Sequence, residues 1–160
     1  MLLLLNRHAL AAEQDPLRFP DDALRPLTPK GKRIQHRVSR QLYDAGLSPA
    51  RILSSPWKRA WQTARIIMVE SGLEKSARVA CMALAAPPDL AELGAAVGTA
   101  APGQRIALVG HEPWMSGLAS LLLTGSPGAL AIDFPKSGVM GIETEDFQAG
   151  AGVLRFFLRP

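Results

Sequence analysis

The chain is poor in the residues that mark several common chemistries. It has one cysteine, Cys81, and three histidines in 160 residues. No internal disulfide can form, secretion gains no support, and no zinc-type Cys/His spacing exists. Long apolar runs are missing as well. Leu2–Leu5 is cut off by Asn6-Arg7-His8, short of the roughly 7–15 apolar residues of a signal core. Nothing approaches the roughly 20 apolar residues of a membrane helix. There is no Gly-x-x-x-x-Gly-Lys-Ser/Thr loop, which excludes a P-loop nucleotide enzyme, and no Gly-x-Ser-x-Gly elbow, which excludes the serine hydrolases built on one. Internal repeats and low-complexity tracts are absent. The expectation is a cytoplasmic protein with no membrane partner, no metal and no cofactor.

What is present is a globular composition, 48% hydrophobic, at a length that suits a single domain over residues 1–160. The net charge is +4. Basic residues gather at Arg25, Lys30, Lys32, Arg33, Arg37 and Arg40. This reads as the solvated face of a helix, or as a surface that steers a phosphorylated partner. No aromatic residue lies between these charges, which argues against a base-stacking surface and so against nucleic acid.

Local signals alternate strand and helix. Strands are expected at Leu2–Asn6, Arg51–Ser54, Arg78–Leu84 and Arg105–Val109, and at two or three later segments, Ala129–Phe134, Gly138–Glu143 and Val153–Leu158. A helix should open at Thr28-Pro29, an N-cap followed by a proline at the first position, and close at Gly46; Ile34, Val38 and Leu42 make its apolar stripe. A second should follow Ser55-Pro56 and stop at Gly72. A third should run from Pro88-Asp89 to Val97, and a fourth should start at Pro113. Such alternation predicts an α/β three-layer sandwich: a mainly parallel central sheet flanked by helices, with antiparallel edge strands near the C-terminus.

Two histidines stand where apolar strands end, His8 after Leu2–Leu5 and His111 after Ile106–Val109. Ligands of open α/β sheets bind at the carboxyl ends of the strands. Arg7 and Arg59 fall at the same edge, and two arginines with two histidines suit a phosphoryl group. Three strings sharpen this: Arg25-Pro26-Leu27-Thr28-Pro29-Lys30-Gly31, Ser54-Ser55-Pro56-Trp57-Lys58-Arg59-Ala60-Trp61-Gln62-Thr63-Ala64, and Val109-Gly110-His111-Glu112-Pro113. In this order the chain resembles the histidine phosphatase superfamily, also called phosphoglycerate mutase-like, and within it the short SixA-type phosphohistidine phosphatases. The resemblance runs from Leu2 to the chain end, where Phe134-Pro135-Lys136-Ser137-Gly138 and Leu154-Arg155-Phe156 look like the closing strands of that branch. Asn6 departs from it, standing where the family often has an apolar residue.

The resemblance implies a metal-independent phosphatase with His8 as nucleophile. An imidazole nitrogen can take a phosphoryl group covalently and split hydrolysis into two steps. Arg7 and Arg59 would clamp the phosphoryl oxygens, His111 would donate to them as charge develops, and Arg25 would help bind substrate. The substrate would be a phosphohistidine on a protein or a small phosphorylated molecule. The general acid is not singled out by any motif: Asp22, Asp89 and Glu92 are candidates, and Asp22 could equally be an ion-pair partner of Arg18 or Arg25. A phosphoramidate, whose nitrogen leaves readily once protonated, would need less acid help. Two other readings stand beside this one: a small-molecule phosphomonoesterase or mutase-like enzyme with the same site, and an inactive module that binds phosphorylated or nucleic-acid partners.

Overall fold

The computed structural model describes all residues, Met1–Pro160. Six strands form one sheet: β1 (Leu2–Arg7), β2 (Arg51–Ser54), β3 (Arg78–Ala80), β4 (Arg105–Gly110), β5 (Val139–Glu143) and β6 (Val153–Leu158). Their spatial order is β3-β2-β4-β1-β5-β6. β1 to β4 are parallel, β5 runs antiparallel to β1, and β6 antiparallel to β5. The helices are α1 (Pro29–Asp44), α2 (Lys58–Glu70), α3 (Leu90–Val97) and α4 (Trp114–Thr124).

Strand alternation sorts the core into two layers, because successive side chains of a strand face opposite sides. Leu3 and Leu5 of β1 and Ile106 and Leu108 of β4 pack with Leu93, Val97, Met115, Leu118 and Leu122 of α3 and α4. Leu4, Ala107, Val109 and Ile52 face the other way, onto Val38 and Leu42 of α1 and Ala60, Ala64 and Ile67 of α2. Each fully buried leucine of this kind stabilises the fold by about 1.5–3 kcal/mol. The result is the expected α/β three-layer sandwich. No helix in it is long and apolar enough to cross a membrane.

Two expected strands differ in the structure. Arg78–Leu84 is extended only over Arg78–Ala80. The Cys81 amide donates to the Ser54 carbonyl at the end of β2; past that point β2 offers no further partner, and Met82–Ala85 turns into a 3₁₀ helix. Ala129–Phe134 is not a strand at all, because β5 occupies the free edge of β1 and β6 the free edge of β5.

The turn into α1 is set by close approach. Thr28 caps the helix through its hydroxyl, which accepts from the Gly31 amide at 2.9 Å, while the Thr28 amide donates to the Leu10 carbonyl at 3.0 Å. This draws the first turn of α1 so near the chain that a Cβ on Gly31 would lie 2.1 Å from the Leu10 oxygen. Gly31→Ala must therefore displace the segment that follows His8. The expected cost is about 2 kcal/mol, within the range for overpacking, read as a fall in Tm of roughly 4–8 °C for a chain of this size. An unchanged Tm would contradict this packing.

Candidate active site

Three parallel strands end at one edge, and main-chain hydrogen bonds continue past their ladders. The His8 amide donates to the Gly110 carbonyl at 3.0 Å, and the Ser55 amide to the Val109 carbonyl at 2.9 Å. His8, Ser55 and His111 are brought together in this way. The ring centroids of His8 and His111 lie 5.1 Å apart, at one side of a cavity of about 610 Å³ that Arg7, Asp22, Arg25, Arg59 and Lys136 also line. Gly110 is closely approached: a Cβ there would meet the Met115 sulfur at 2.6 Å and the Leu84 carbonyl at 3.1 Å, so a side chain would have to displace Met115.

The tautomer of His8 is fixed by its neighbours. Its Nδ1 lies 2.7 Å from the Ala9 carbonyl, which can only accept, so Nδ1 carries the proton. Nε2 then holds the lone pair and accepts from Arg59 Nε at 3.3 Å. Ala9 is held in turn: its amide donates to Thr63 Oγ1 at 3.0 Å, and that hydroxyl donates to the Arg59 carbonyl at 2.7 Å. The loop after β1 and the first turn of α2 are thereby locked together. His111 Nε2 lies 2.8 Å from Ser55 Oγ, and its Nδ1 is buried without a protein partner.

Burial and positive charge keep both imidazoles neutral. His8 is pushed down to about 3, chiefly by burial, with Arg59, Arg7 and Lys136 adding to it against the opposing Ala9 hydrogen bond. His111 is also pushed down to about 3, by burial first and then by His8 and Arg59. A base kept unprotonated beside several cations is the state in which a histidine can act as a nucleophile.

The arginines are placed by the loops they share. Arg59 is 4% exposed; its Nη1 donates to the Asp22 carbonyl at 2.8 Å and its Nη2 pairs with the Asp22 carboxylate at 2.9 Å. Arg25 pairs with the same carboxylate at 2.9 Å and donates to the Ala12 carbonyl at 2.7 Å. Partial burial raises Asp22, but the hydrogen bond from Arg25 and the charge of Arg59 outweigh it and hold the carboxyl below its ordinary value. Arg7 donates to the Phe134 carbonyl at 2.6 Å, and its Nε is buried without a protein partner.

Of the residues singled out from sequence, Arg7, His8, Asp22, Arg25, Arg59 and His111 line the one cavity. Asp89 and Glu92 do not. The Asp89 carboxylate caps α3 by accepting from the Glu92 amide at 3.0 Å, and Glu92 sits in the first turn of that helix. Asp22 pairs with Arg25 and Arg59, not with Arg18.

Sequence reasoning missed Lys136 and Glu112, which also line the cavity. Lys136 arrives because β5 is antiparallel: its amino end lies at the edge where the parallel strands finish. The turn before it is bolted to β1, with the Ser137 amide donating to the Arg7 carbonyl at 3.2 Å and the Arg7 amide to the Gly138 carbonyl at 3.2 Å. Ser137 holds a positive φ of 63°, a conformation that is strained for a residue with a side chain. Burial, then Arg7, Arg25 and Arg59, lower Lys136. Asn6, which carried no clear signal, is buried and donates to the Arg7 carbonyl at 2.8 Å and the Gly138 carbonyl at 3.2 Å; Gln35 of α1 donates to its oxygen at 3.3 Å. It ties the Arg7 main chain to the Lys136 turn. No group of three or more His, Cys, Asp or Glu side chains is arranged to hold a metal ion.

The fold is shared with known proteins. The family model of the histidine phosphatase superfamily (branch 1) matches residues 3–80. An uncharacterised protein of Picosynechococcus sp. (strain ATCC 27264 / PCC 7002 / PR-6) is 32% identical over 149 residues, covering 90% of this chain and 86% of that one. The structure of the protein histidine phosphatase SixA complexed with tungstate superposes with a TM-score of 0.80 at 22% identity, over 99% of this chain and 96% of that one. A mycobacterial glucosyl-3-phosphoglycerate phosphatase superposes with a TM-score of 0.68 at 16% identity, over 96% of each chain.

The two lowered histidines make stability depend on pH. Between about 3 and the ordinary 6.5 the unfolded chain binds more protons than the folded one. Stability therefore rises with pH across that window and is lost as pH falls through it. Each histidine contributes a slope of up to about 1.4 kcal/mol per pH unit. Urea unfolding at pH 7, 6 and 5 should show this slope, and replacing both His8 and His111 by glutamine should flatten it. A slope unchanged by the double replacement would mean that folding lowers neither ring's value.

Proposed function

Since the chain belongs to the histidine phosphatase superfamily, and with it to the phosphatases, we propose that it hydrolyses protein-bound phosphohistidine through a covalent phosphohistidine on His8, in the manner of the SixA-type branch. The observation that carries this is the pair of hydrogen bonds on the His8 ring, Nδ1 to the Ala9 carbonyl and Arg59 Nε to Nε2. Together they aim an unprotonated nitrogen at the cationic end of the cavity.

In the first step His8 Nε2 gives its lone pair to phosphorus, and the bond to the leaving group breaks with its electron pair remaining on the leaving atom. Water then attacks phosphorus, the P–Nε2 bond breaks, and phosphate departs. Arg7 and Arg59 are the guanidinium clamp on the phosphoryl oxygens, which bidentate N–H geometry matches. The Nδ1 of His111, free of protein partners, donates to an oxygen as charge develops. Arg25 and Lys136 add positive charge at the cavity wall, so phosphoryl charge is met by side chains without calling on a metal ion. All of this lies within one catalytic domain over residues 1–160.

Two features support an activated nitrogen-linked substrate over an alkyl phosphate. Asp22, the one sequence-nominated carboxyl in the cavity, is ion-paired with Arg25 and Arg59 and kept below its ordinary value. It is ill suited to protonate a poor leaving group, and a phosphoramidate nitrogen takes its proton from water. No residue between Leu84 and Gln104 lines the cavity; that segment forms no lid, and the site stands open to a protein surface. A cytoplasmic setting goes with this reading.

The first test is phosphate release from a phosphohistidine-bearing protein with chelator present. Turnover is expected, and His8→Ala should abolish it without loss of fold, since His8 lies beyond the end of β1. Arg59→Ala should lower kcat by roughly 10²–10³-fold, as for removal of one oxyanion donor. Lys136→Met should raise KM about tenfold, as expected for loss of one charge-assisted contact. Turnover retained by His8→Ala would overturn the mechanism. Turnover of a small aryl phosphate but not of the phosphoprotein would move the substrate to a small molecule.

A further inference from the structure

The cavity has two unlike halves. One is the cationic cradle around His8. The other is a wall of rings that leads away from it: His8 to His111 at 5.1 Å between centroids, His111 to Trp57 at 4.6 Å, and Trp57 to Trp114 at 6.4 Å in an edge-to-face arrangement. Trp114 also meets His111 edge-on at 6.4 Å, and the Arg59 guanidinium lies 4.7 Å from the Trp57 centroid. Both tryptophans line the cavity, both are half-buried, and neither belongs to a core cluster. Neither indole N–H has a partner in the protein. Phe134, by contrast, is fully buried within a core cluster, whereas Trp114 meets Leu84, Leu93 and Leu118 on one side and the cavity on the other. Trp61, one turn further along α2, is occupied differently, by the Arg78 guanidinium 4.0 Å from its ring centroid. Glu112 lines the same half of the chemistry, next to His111 in sequence. Its carboxylate is held by the Ser116 amide at 3.0 Å and the Ser116 hydroxyl at 2.5 Å, a fixed acceptor for a ring N–H.

We propose that Trp57 and Trp114, with Glu112, form a leaving-group subsite that takes a planar nitrogen heterocycle attached to the phosphoryl group. This rests on the phosphatase reading above and adds the part of the substrate that the cationic cradle does not address. Flat rings pack on indoles in offset or edge-to-face contact, an interaction that a tetrahedral amine or alkyl group cannot make. The bond between phosphorus and the ring nitrogen breaks as His8 Nε2 bonds to phosphorus. The ring reacts protonated on its far nitrogen, a proton drawn from solvent, so the electron pair left by the broken bond turns it into the neutral heterocycle as it departs. The carboxylate of Glu112 accepts from the N–H at the far side of that ring. Contacts to the leaving ring that strengthen as the bond lengthens raise kcat, and those that stay unchanged lower KM.

The test compares two substrates with the same P–N bond, N-phosphoimidazole, with a planar leaving group, and phosphoramidate, which leaves as ammonia. The readout is the ratio of their kcat/KM values. In the native chain the ratio should exceed the ratio of their uncatalysed hydrolysis rates by tenfold or more. Trp114→Leu and Trp57→Leu should each lower that ratio at least fivefold, Trp114→Phe should restore most of it, and Glu112→Gln should lower it without changing Tm. A ratio equal to the uncatalysed one, or unmoved by all of the tryptophan variants while turnover persists, would overturn the subsite and leave the phosphatase reading standing. No turnover of either substrate by the native chain would overturn both. Because Trp→Leu could unsettle the fold, the phenylalanine variants, which keep a flat ring at each position, are read alongside and carry the decision if either leucine variant does not fold.

Discussion

A single hydrogen bond, from His8 Nδ1 to the carbonyl of the next residue, decides what the sheet edge can do. It settles which ring nitrogen keeps a lone pair and where that lone pair points. The bond holds only if the Ala9 peptide stays in place, and Thr63 keeps it there by accepting from the Ala9 amide while donating to the main chain of Arg59. His8 and Arg59, the proposed nucleophile and clamp, are therefore parts of one hydrogen-bonded unit spanning the end of β1 and the start of α2. The surrounding cations act twice. They make the cavity attractive to an anion, and they raise the cost of protonating the His8 ring, which the proposed mechanism needs neutral. In water these demands would conflict, because a histidine near its ordinary value is often charged when an anion is near. Burial at the sheet edge removes the conflict.

Much of this was legible in the chain. The strand ends at His8 and His111 follow from apolar runs closed by polar residues, and Thr28-Pro29 marks α1 because an N-cap hydroxyl and a preset proline φ are strong local signals. Arg7, Arg25 and Arg59 converge because parallel strands put their carboxyl ends on one edge. What was not legible depended on partners distant in sequence. Lys136 reaches the site because β5 runs antiparallel beside β1, and no local pattern says on which edge such a strand begins. The length of β3 is set by where β2 stops offering partners. Asp89 carries an acid's chemistry but is spent on a helix cap. Asn6 looked like a misplaced polar residue in an apolar strand; only the buried amide of Gln35 and the carbonyl of Gly138 explain it.

Those buried amides show how polar groups are used where the core would otherwise be apolar. Asn6, Gln35 and Ser39 are almost wholly buried, and Gln35 donates to both of the others. The Gln35 oxygen has no protein partner, but the hydrogen bonds that are made favour one arrangement over its neighbours. Here the arrangement fixed is the alignment of α1, the end of β1 and the turn that carries Lys136. The positive φ at Ser137 lies in that turn, so local strain and the bracing that sustains it sit side by side.

The strand order has a consequence in time. β1 is made well before its neighbours in the sheet, β4 and β5, at residues 105–110 and 139–143. A chain emerging from the ribosome carries His8, the proposed nucleophile, at the end of a segment that has no sheet partner until β4 has followed. Contacts of such long sequence separation form late, because the entropy of closing the intervening loop must be overcome first. The apolar Leu2–Leu5 run therefore spends synthesis exposed, and the centre of this sheet is also its last seam to close.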